Sequence, residues 1–181
     1  MSQHLTHALR PITKPIDLTG LDIPHPAPFL CSMTVNAKLL SETIAHLSNI
    51  EYVSLIDRAA ELAADAAGFC RTRLLEEDRM WFVARHEIDY IKEVIGGQEL
   101  FIATWVRNVR RVKSWRQTLM FIASPDTTDA REKPNIIVCR AATLWVLVNL
   151  SSRKPMSMDQ EMIDRFAPVE MDTRRTLLEL E

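Results

Sequence analysis

A long alanine-rich segment followed by three or four long strand-like runs, in a chain with only four glycines, constrains this fold more than any other feature. Residues 50–74 read as one helix. Val53, Ile56, Ala60, Ala63, Ala67 and Cys70 recur at helical spacing. Alanines at 59, 60, 63, 64, 66 and 67 leave more than one face smooth, so neighbours can approach this helix closely on several sides. Asn49 suits the N-cap, Glu51 places negative charge in the first turn, and Arg71 and Arg73 suit the C-terminal end.

The strand signals come after it. Residues 80–94 are rich in aromatic and β-branched types, and Gly96-Gly97 marks a turn. Residues 99–112 alternate, with Phe101, Ala103, Trp105 and Arg107 against Leu100, Ile102, Thr104 and Val106. Residues 115–123 and 135–150 are the next two strands, joined by a polar, proline-containing loop over 124–134. Ser157-Met158-Asp159-Gln160 reads as a capping box that opens a short helix over 158–166. Residues 169–181 form a charged tail. Ahead of the long helix, residues 29–35 suggest a short strand, and 36–48 are ambiguous between turn and helix. Pro11, Pro15, Pro24, Pro26 and Pro28 rule out a continuous helix or central strand over residues 1–28, which form an N-terminal extension: a lid, an edge strand or a disordered leader. Helix first and consecutive strands after it predict a single α+β domain over 29–168. Its sheet is antiparallel, and the alanine-rich helix is the only long element able to cover it.

Composition excludes several classes. A formal charge of −2 makes no case for nucleic acid or an anionic membrane. No run of about 18 apolar residues is present, so no helical membrane span is expected. Cys31, Cys70 and Cys139 are too sparse and too widely spaced for a disulfide framework or a structural zinc site. A zinc site from Glu42, His46 and His86 lacks any local ligand spacing, and no metal or cofactor is expected. The first residues lack the apolar core of a secretory signal. Arg10 and Lys14 with no acid before Asp17 faintly suggest a transit peptide, but the cytoplasm is the expected compartment.

Two constellations carry chemistry. The first is the polar cluster Glu42, His46, Ser48, Asn49 and Tyr52, set immediately before and into the long helix. A helix start presents unpaired N–H groups to an oxyanion, and a carboxylate placed before it can attack a carbonyl or activate a water. The second is the run Arg107, Arg110, Arg111, Lys113 and Arg116, with Ser114 among them and no acid. Strict alternation would set Arg107, Arg111 and Lys113 on one face, unless a bulge shifts register. Such a face suits phosphate, or simply protects a strand edge.

The order of elements resembles the hotdog fold, in which an antiparallel sheet wraps a long central helix. The motif resembles that of acyl-thioester hydrolases of the 4-hydroxybenzoyl-CoA thioesterase type. Their signature runs acid, two residues, Gly, His-Val-Asn-Asn, two residues, Tyr. Here Glu42 takes the acid position, Ala45 the glycine, His46-Leu47-Ser48-Asn49 the central tetrad and Tyr52 the tyrosine, without a gap. The departures are Glu for Asp, Ala for Gly, Ser for one Asn, and Leu40 where a second acid often stands. The resemblance implies hydrolysis of an acyl-CoA or acyl-carrier-protein thioester. Glu42 would be nucleophile or base, His46 would orient it or contact the acyl group, and the N–H near Asn49 would hold the carbonyl oxygen. Ser48 and Tyr52 would contact substrate, though Asn49 also suits a cap and Tyr52 the core. Arg107, Arg111, Lys113 and Ser114 would lie near the pantetheine or nucleotide. A homodimer or homotetramer with acyl sites between subunits is implied. The rival is a non-catalytic acyl-thioester-binding or interaction module on the same fold.

Overall fold

The computed structural model describes residues 9–123 and 135–170; the polar loop over 124–134 and nearly all of the charged tail lie outside them. One six-stranded, wholly antiparallel sheet has the order β1-β2-β4-β5-β6-β3. Its strands are β1 (Arg10–Pro11), β2 (Phe29–Thr34), β3 (Arg79–Tyr90), β4 (Glu99–Arg110), β5 (Lys113–Ala123) and β6 (Asn135–Asn149). Helix α1 (Asn49–Ala66) packs on the inner face, followed by α2 (Arg71–Glu76) and, after β6, α3 (Gln160–Phe166). The α+β arrangement read from the sequence is the one found, with the sheet around the alanine-rich helix.

The expected single helix over 50–74 is two helices. Gly68 adopts φ +89°, the left-handed conformation that glycine reaches without a Cβ clash. Phe69 N–H then donates to Ala64 O and Gly68 N–H to Asp65 O, both at 2.9 Å, closing a Schellman cap. Phe69 is carried into the core at 1% exposure. Arg73 does sit near this helix end, but as part of α2, reaching back to donate to Gly68 O at 3.1 Å. The N-terminal caps also differ by one or two residues from expectation. Ser48, not Asn49, caps α1, its side chain accepting from Glu51 N–H at 3.4 Å. Asp159, not Ser157, caps α3, accepting from Met162 N–H at 2.8 Å. In both cases the capping oxygen lies where the chain leaves extended backbone for the helix.

Residues 9–28 lie over the sheet. Arg10 and Pro11 pair with Cys31 and Ser32 as an edge strand. Ile16, Leu18, Leu21 and Ile23 then pack on the outer face against Ala103, Trp105, Leu119 and Phe121, all four buried. The alternation of β4 is therefore apolar on both faces for a reason, since the inner side meets α1 and the outer side meets the extension.

Arg79, at 5% exposure, ties the start of β3 to α3. Its guanidinium donates to Asp159 at 2.5 Å and to Glu77 at 2.6 Å. Burial opposes ionisation of Asp159, but the Arg79 and Met162 hydrogen bonds outweigh it and hold the carboxyl below its usual range. A carboxylate with a lowered folded-state pKa contributes stability above its unfolded pKa and loses it as pH falls through the folded one. Asp159→Ala is expected to cost about 3 kcal/mol at pH 7, from a lost cap and a buried arginine stripped of one partner. Thermal melts at pH 7 and pH 3 check this, since the deficit should shrink in acid.

Candidate functional site

The inner face of the sheet is apolar at both ends and polar across its middle. Strand alternation turns Thr104, Ser114, Arg116, Thr118 and Thr143 away from the outer layer, and all are buried. Thr104 Oγ1 lies 3.1 Å from Thr118 Oγ1 and donates to Gln117 O at 2.8 Å. Arg116 Nη1 reaches Thr104 Oγ1 at 3.5 Å. In the next register positions Arg116 faces Thr143, and Thr143 faces His86 on β3. His86 Nδ1 is 3.0 Å from Thr143 Oγ1, while its Nε2 is 3.8 Å from Asp57 Oδ1 on α1. A polar belt thus crosses four strands and rises to the helix, separating two apolar clusters.

Above this belt α1 presents Ala60 and Ala64, whose short side chains leave a cavity of about 530 Å³ between the helix, β3 and the inner face. Phe69, Leu74 and Phe166 close one end, and Phe82 and Val83 of the edge strand flank it. Asp57, Glu61, Arg116 and Trp145 also line it. Glu61 is held by Arg58 at 3.5 Å and Arg71 at 4.0 Å. Asp57 is not so held. Its side chain is half exposed, yet Oδ1 is buried and accepts no hydrogen bond among the described residues. Burial pushes its carboxyl above the ordinary range, with nearby Glu61 adding to the rise and His86 opposing it. A carboxyl group with a raised pKa on a cavity wall is a candidate base.

The motif recognised in the sequence sits elsewhere. Glu42 is exposed in a loop closed by pairing of Leu40 with Leu47, and it does not line the cavity. His46 pairs through its backbone with Ile95, and its Nδ1 is buried without a partner among the described residues. Asn49 is the first residue of α1, so its N–H belongs to the unpaired donors of the first turn. Tyr52 is core at 3% exposure, stacked edge-on against Tyr90 with its hydroxyl 3.5 Å from Lys92 O.

The basic run is not one face. A bulge between Val106 and Asn108 breaks the alternation of β4, and Arg111 occupies the β4–β5 turn at φ +52°. Arg107 donates to Glu170 at 2.8 Å. Arg107 and Arg110 border a second hollow with Glu87, Asp89 and Arg140, while Arg111 and Lys113 are exposed in the turn. Ser114 points inward and lines the first cavity. The Glu42 loop and the basic turn lie at opposite ends of β4, whose 12 residues span about 40 Å.

Asp57, Thr143 and Trp145 were absent from the sequence-derived candidates, His86 entered only a rejected zinc set, and Arg116 entered only as part of the basic run. What could have found them is Arg116 and Thr118 falling in phase with Met120 and Ile122 on a face that must be buried. Among the described residues no three His, Cys, Asp or Glu are grouped to hold a metal, and no helix is long and apolar enough to cross a membrane.

Residues 40–166 match the family model described as the thioesterase-like superfamily. No curated protein matches the chain. Among solved structures, a hypothetical protein from Staphylococcus aureus in complex with CoA superposes with TM-score 0.68 at 10% identity, over 78% of this chain and 82% of that one. A 1,4-dihydroxy-2-naphthoyl-CoA thioesterase from Synechocystis gives 0.63 at 13%, over 78% and 96%. An acyl-ACP thioesterase from Bacteroides thetaiotaomicron gives 0.62 at 19%, over 75% of this chain and 51% of that chain, so the present chain spans about half of it. At such identities the likeness is one of fold.

Proposed function

The chain belongs to the thioesterase-like superfamily, and from that premise we propose that it hydrolyses an acyl thioester, of coenzyme A or of an acyl carrier protein, to a free acid and a thiol. The observation that carries this reading is the cavity between α1 and the sheet, with the raised carboxyl of Asp57 on its wall. The acyl chain would fill the apolar part. Asp57 would take a proton from water as the water oxygen bonds to the thioester carbon, and the tetrahedral intermediate would collapse by expelling the thiolate. His86, 3.8 Å from Asp57, would orient that carboxylate.

A second reading places the reacting carboxylate at Glu42, and the unbroken Glu42-to-Tyr52 spacing favours it. His46 and the Asn49 N–H would then serve the carbonyl, with Ser48 and Tyr52 at its border and Arg107, Arg111 and Lys113 on the phosphates. One chain holds these groups at opposite ends of β4. A two-fold axis at the β3 edge would reverse a second copy and bring the motif end of one subunit near the basic turn of the other. Two features support such a dimer. Among the described residues strand β3 is an uncovered edge of 12 residues, with Phe82 46% and Tyr90 47% exposed. The extension already occupies much of the outer face, leaving less room for sheet-on-sheet tetramers. A dimer is expected by light scattering at micromolar concentration, and Phe82→Asp should shift it toward monomer; a monomeric wild type would remove the shared-site reading.

Free-thiol release from short, medium, long and aryl acyl-CoAs tests the activity itself. Turnover of any of them supports hydrolysis. Tight acyl-CoA binding with no turnover, from coenzyme A or carrier-protein thioesters alike, would favour a non-catalytic acyl-thioester-binding module.

A further inference from the structure

Arg116 is a buried cation without an acid. It is 7% exposed, lines the cavity, and makes no salt bridge among the described residues. Its polar contact there is the long one to Thr104 Oγ1 at 3.5 Å, and its guanidinium carbon stands 5.8 Å from the centre of the Phe166 ring. Burial pushes its pKa down to about 10, which leaves it charged at neutral pH. A guanidinium carries five N–H donors, and this one makes a single side-chain hydrogen bond among the described residues. An uncompensated buried charge of this kind costs stability unless something answers it.

An orphan donor lines the same cavity. Trp145 Nε1 is buried and has no hydrogen-bond partner among the described residues. Its register neighbour on β5 is Ser114, 3% exposed and also in the lining, two residues from Arg116 on the same face. The acids of the lining, Asp57, Glu61 and Asp65, all belong to α1, whereas these donors belong to the sheet. Glu61 is already paired with Arg58 and Arg71. The sheet side of the cavity therefore presents donors, one of them charged, to the open space beneath α1. A carboxylate has the lone pairs and the charge to satisfy them.

We propose that Arg116, Ser114 and Trp145 form a carboxylate-binding subsite at the sheet side of the cavity, so that the preferred acyl group carries a second, distal carboxylate. This deepens the thioesterase reading and rests on it for the identity of the bound group.

The test compares suberyl-CoA with octanoyl-CoA, which differ at the distal end of the chain, in wild type and Arg116→Met. Wild type is expected to favour suberyl-CoA in kcat/KM by at least about tenfold, with the ratio falling toward one in Arg116→Met and partly restored in Arg116→Lys. An equal or reversed preference in wild type overturns the subsite while leaving hydrolysis intact. If neither thioester is turned over, binding decides the subsite on its own, separately from hydrolysis: octanoate should raise the wild-type melting temperature more than octanamide does, and Arg116→Met should abolish the difference. Equal effects of acid and amide would overturn it. Arg116→Met without ligand should melt no lower than wild type, because it removes a buried charge and keeps volume. A variant that melts well below wild type would mean that the guanidinium is already satisfied within the protein, and would also overturn the proposal.

Discussion

Asp57→Asn is expected to lower kcat for thioester hydrolysis by about a thousandfold, in the range that loss of a general base produces, while Glu42→Gln lowers it less than tenfold. Asparagine keeps the shape of the side chain and its contact with the cavity wall but cannot accept the proton. Stability should not explain the loss. The folded-state pKa of Asp57 is raised, so its charge opposes folding once pH exceeds the ordinary carboxylate range, and a neutral amide removes that cost. The pH profile gives an independent readout. Asp57 acts ionised, so wild-type kcat/KM should rise with pH through a pKa above the unperturbed value of about 4, and that limb should vanish in the variant. The opposite pattern, a collapse with Glu42→Gln and near-normal turnover with Asp57→Asn, would move the chemistry to the helix-start motif. Loss in both would fit a site that needs the cavity of one subunit and the loop of its partner.

The fold was legible because its determinants are local and periodic. Alanines at helical spacing announce a helix that others can approach closely, and the alternation of residues 100–106 announces β4 with its side chains in two opposed sets. What escaped was decided by single residues whose effect depends on tertiary context. Gly68 is tolerable inside a helix by propensity, but here its left-handed backbone stops α1 and sends Phe69 into the core. Ser48 and Asn49 are both good caps, and the position of the extended-to-helical switch selects Ser48. The bulge after Val106 could not be located from alternation, and it is what parts Arg107 from the cations of the turn. The polar belt was hidden for another reason. Thr104, Arg116, Thr118, His86 and Thr143 come from four strands and Asp57 from a helix, so no spacing along the chain connects them. They become a group only once the register of β3, β4, β5 and β6 is known.

Deleting residues 1–24 is expected to be the most destabilising change in the molecule outside the two inner clusters. Three prolines and no periodicity make this stretch look dispensable, yet it supplies a third layer. Ile16, Leu18, Leu21 and Ile23 bury the outer face around Ala103, Trp105, Leu119 and Phe121. Prolines suit that task, because an extension that crosses a sheet needs a stiff, extended chain and few ladder hydrogen bonds. Polar ties fix its course at three points: Ile12 N–H to Leu30 O at 2.9 Å, Asn135 Nδ2–H to Asp17 O at 3.0 Å, and His25 Nε2 to Ala167 O at 3.0 Å. Full burial of an aliphatic side chain is worth about 1.5–3 kcal/mol; these four are half-buried and contribute less each, and together with buried Leu9 their loss removes about 5 kcal/mol. That is comparable with the whole stability of many domains and corresponds to about 10–20 °C in melting temperature for a chain of this size. The bared sheet face would also be an apolar patch prone to association. Leu18→Asp with Leu21→Asp should reproduce the direction of the effect without altering chain length, which separates burial from the loss of β1. Differential scanning fluorimetry and light scattering on both variants check it. A deletion variant that stays monodisperse and melts within about 3 °C of wild type would mean that the outer face is stable when wet, and that the apolar side of β4 and β5 is there for a partner other than this extension.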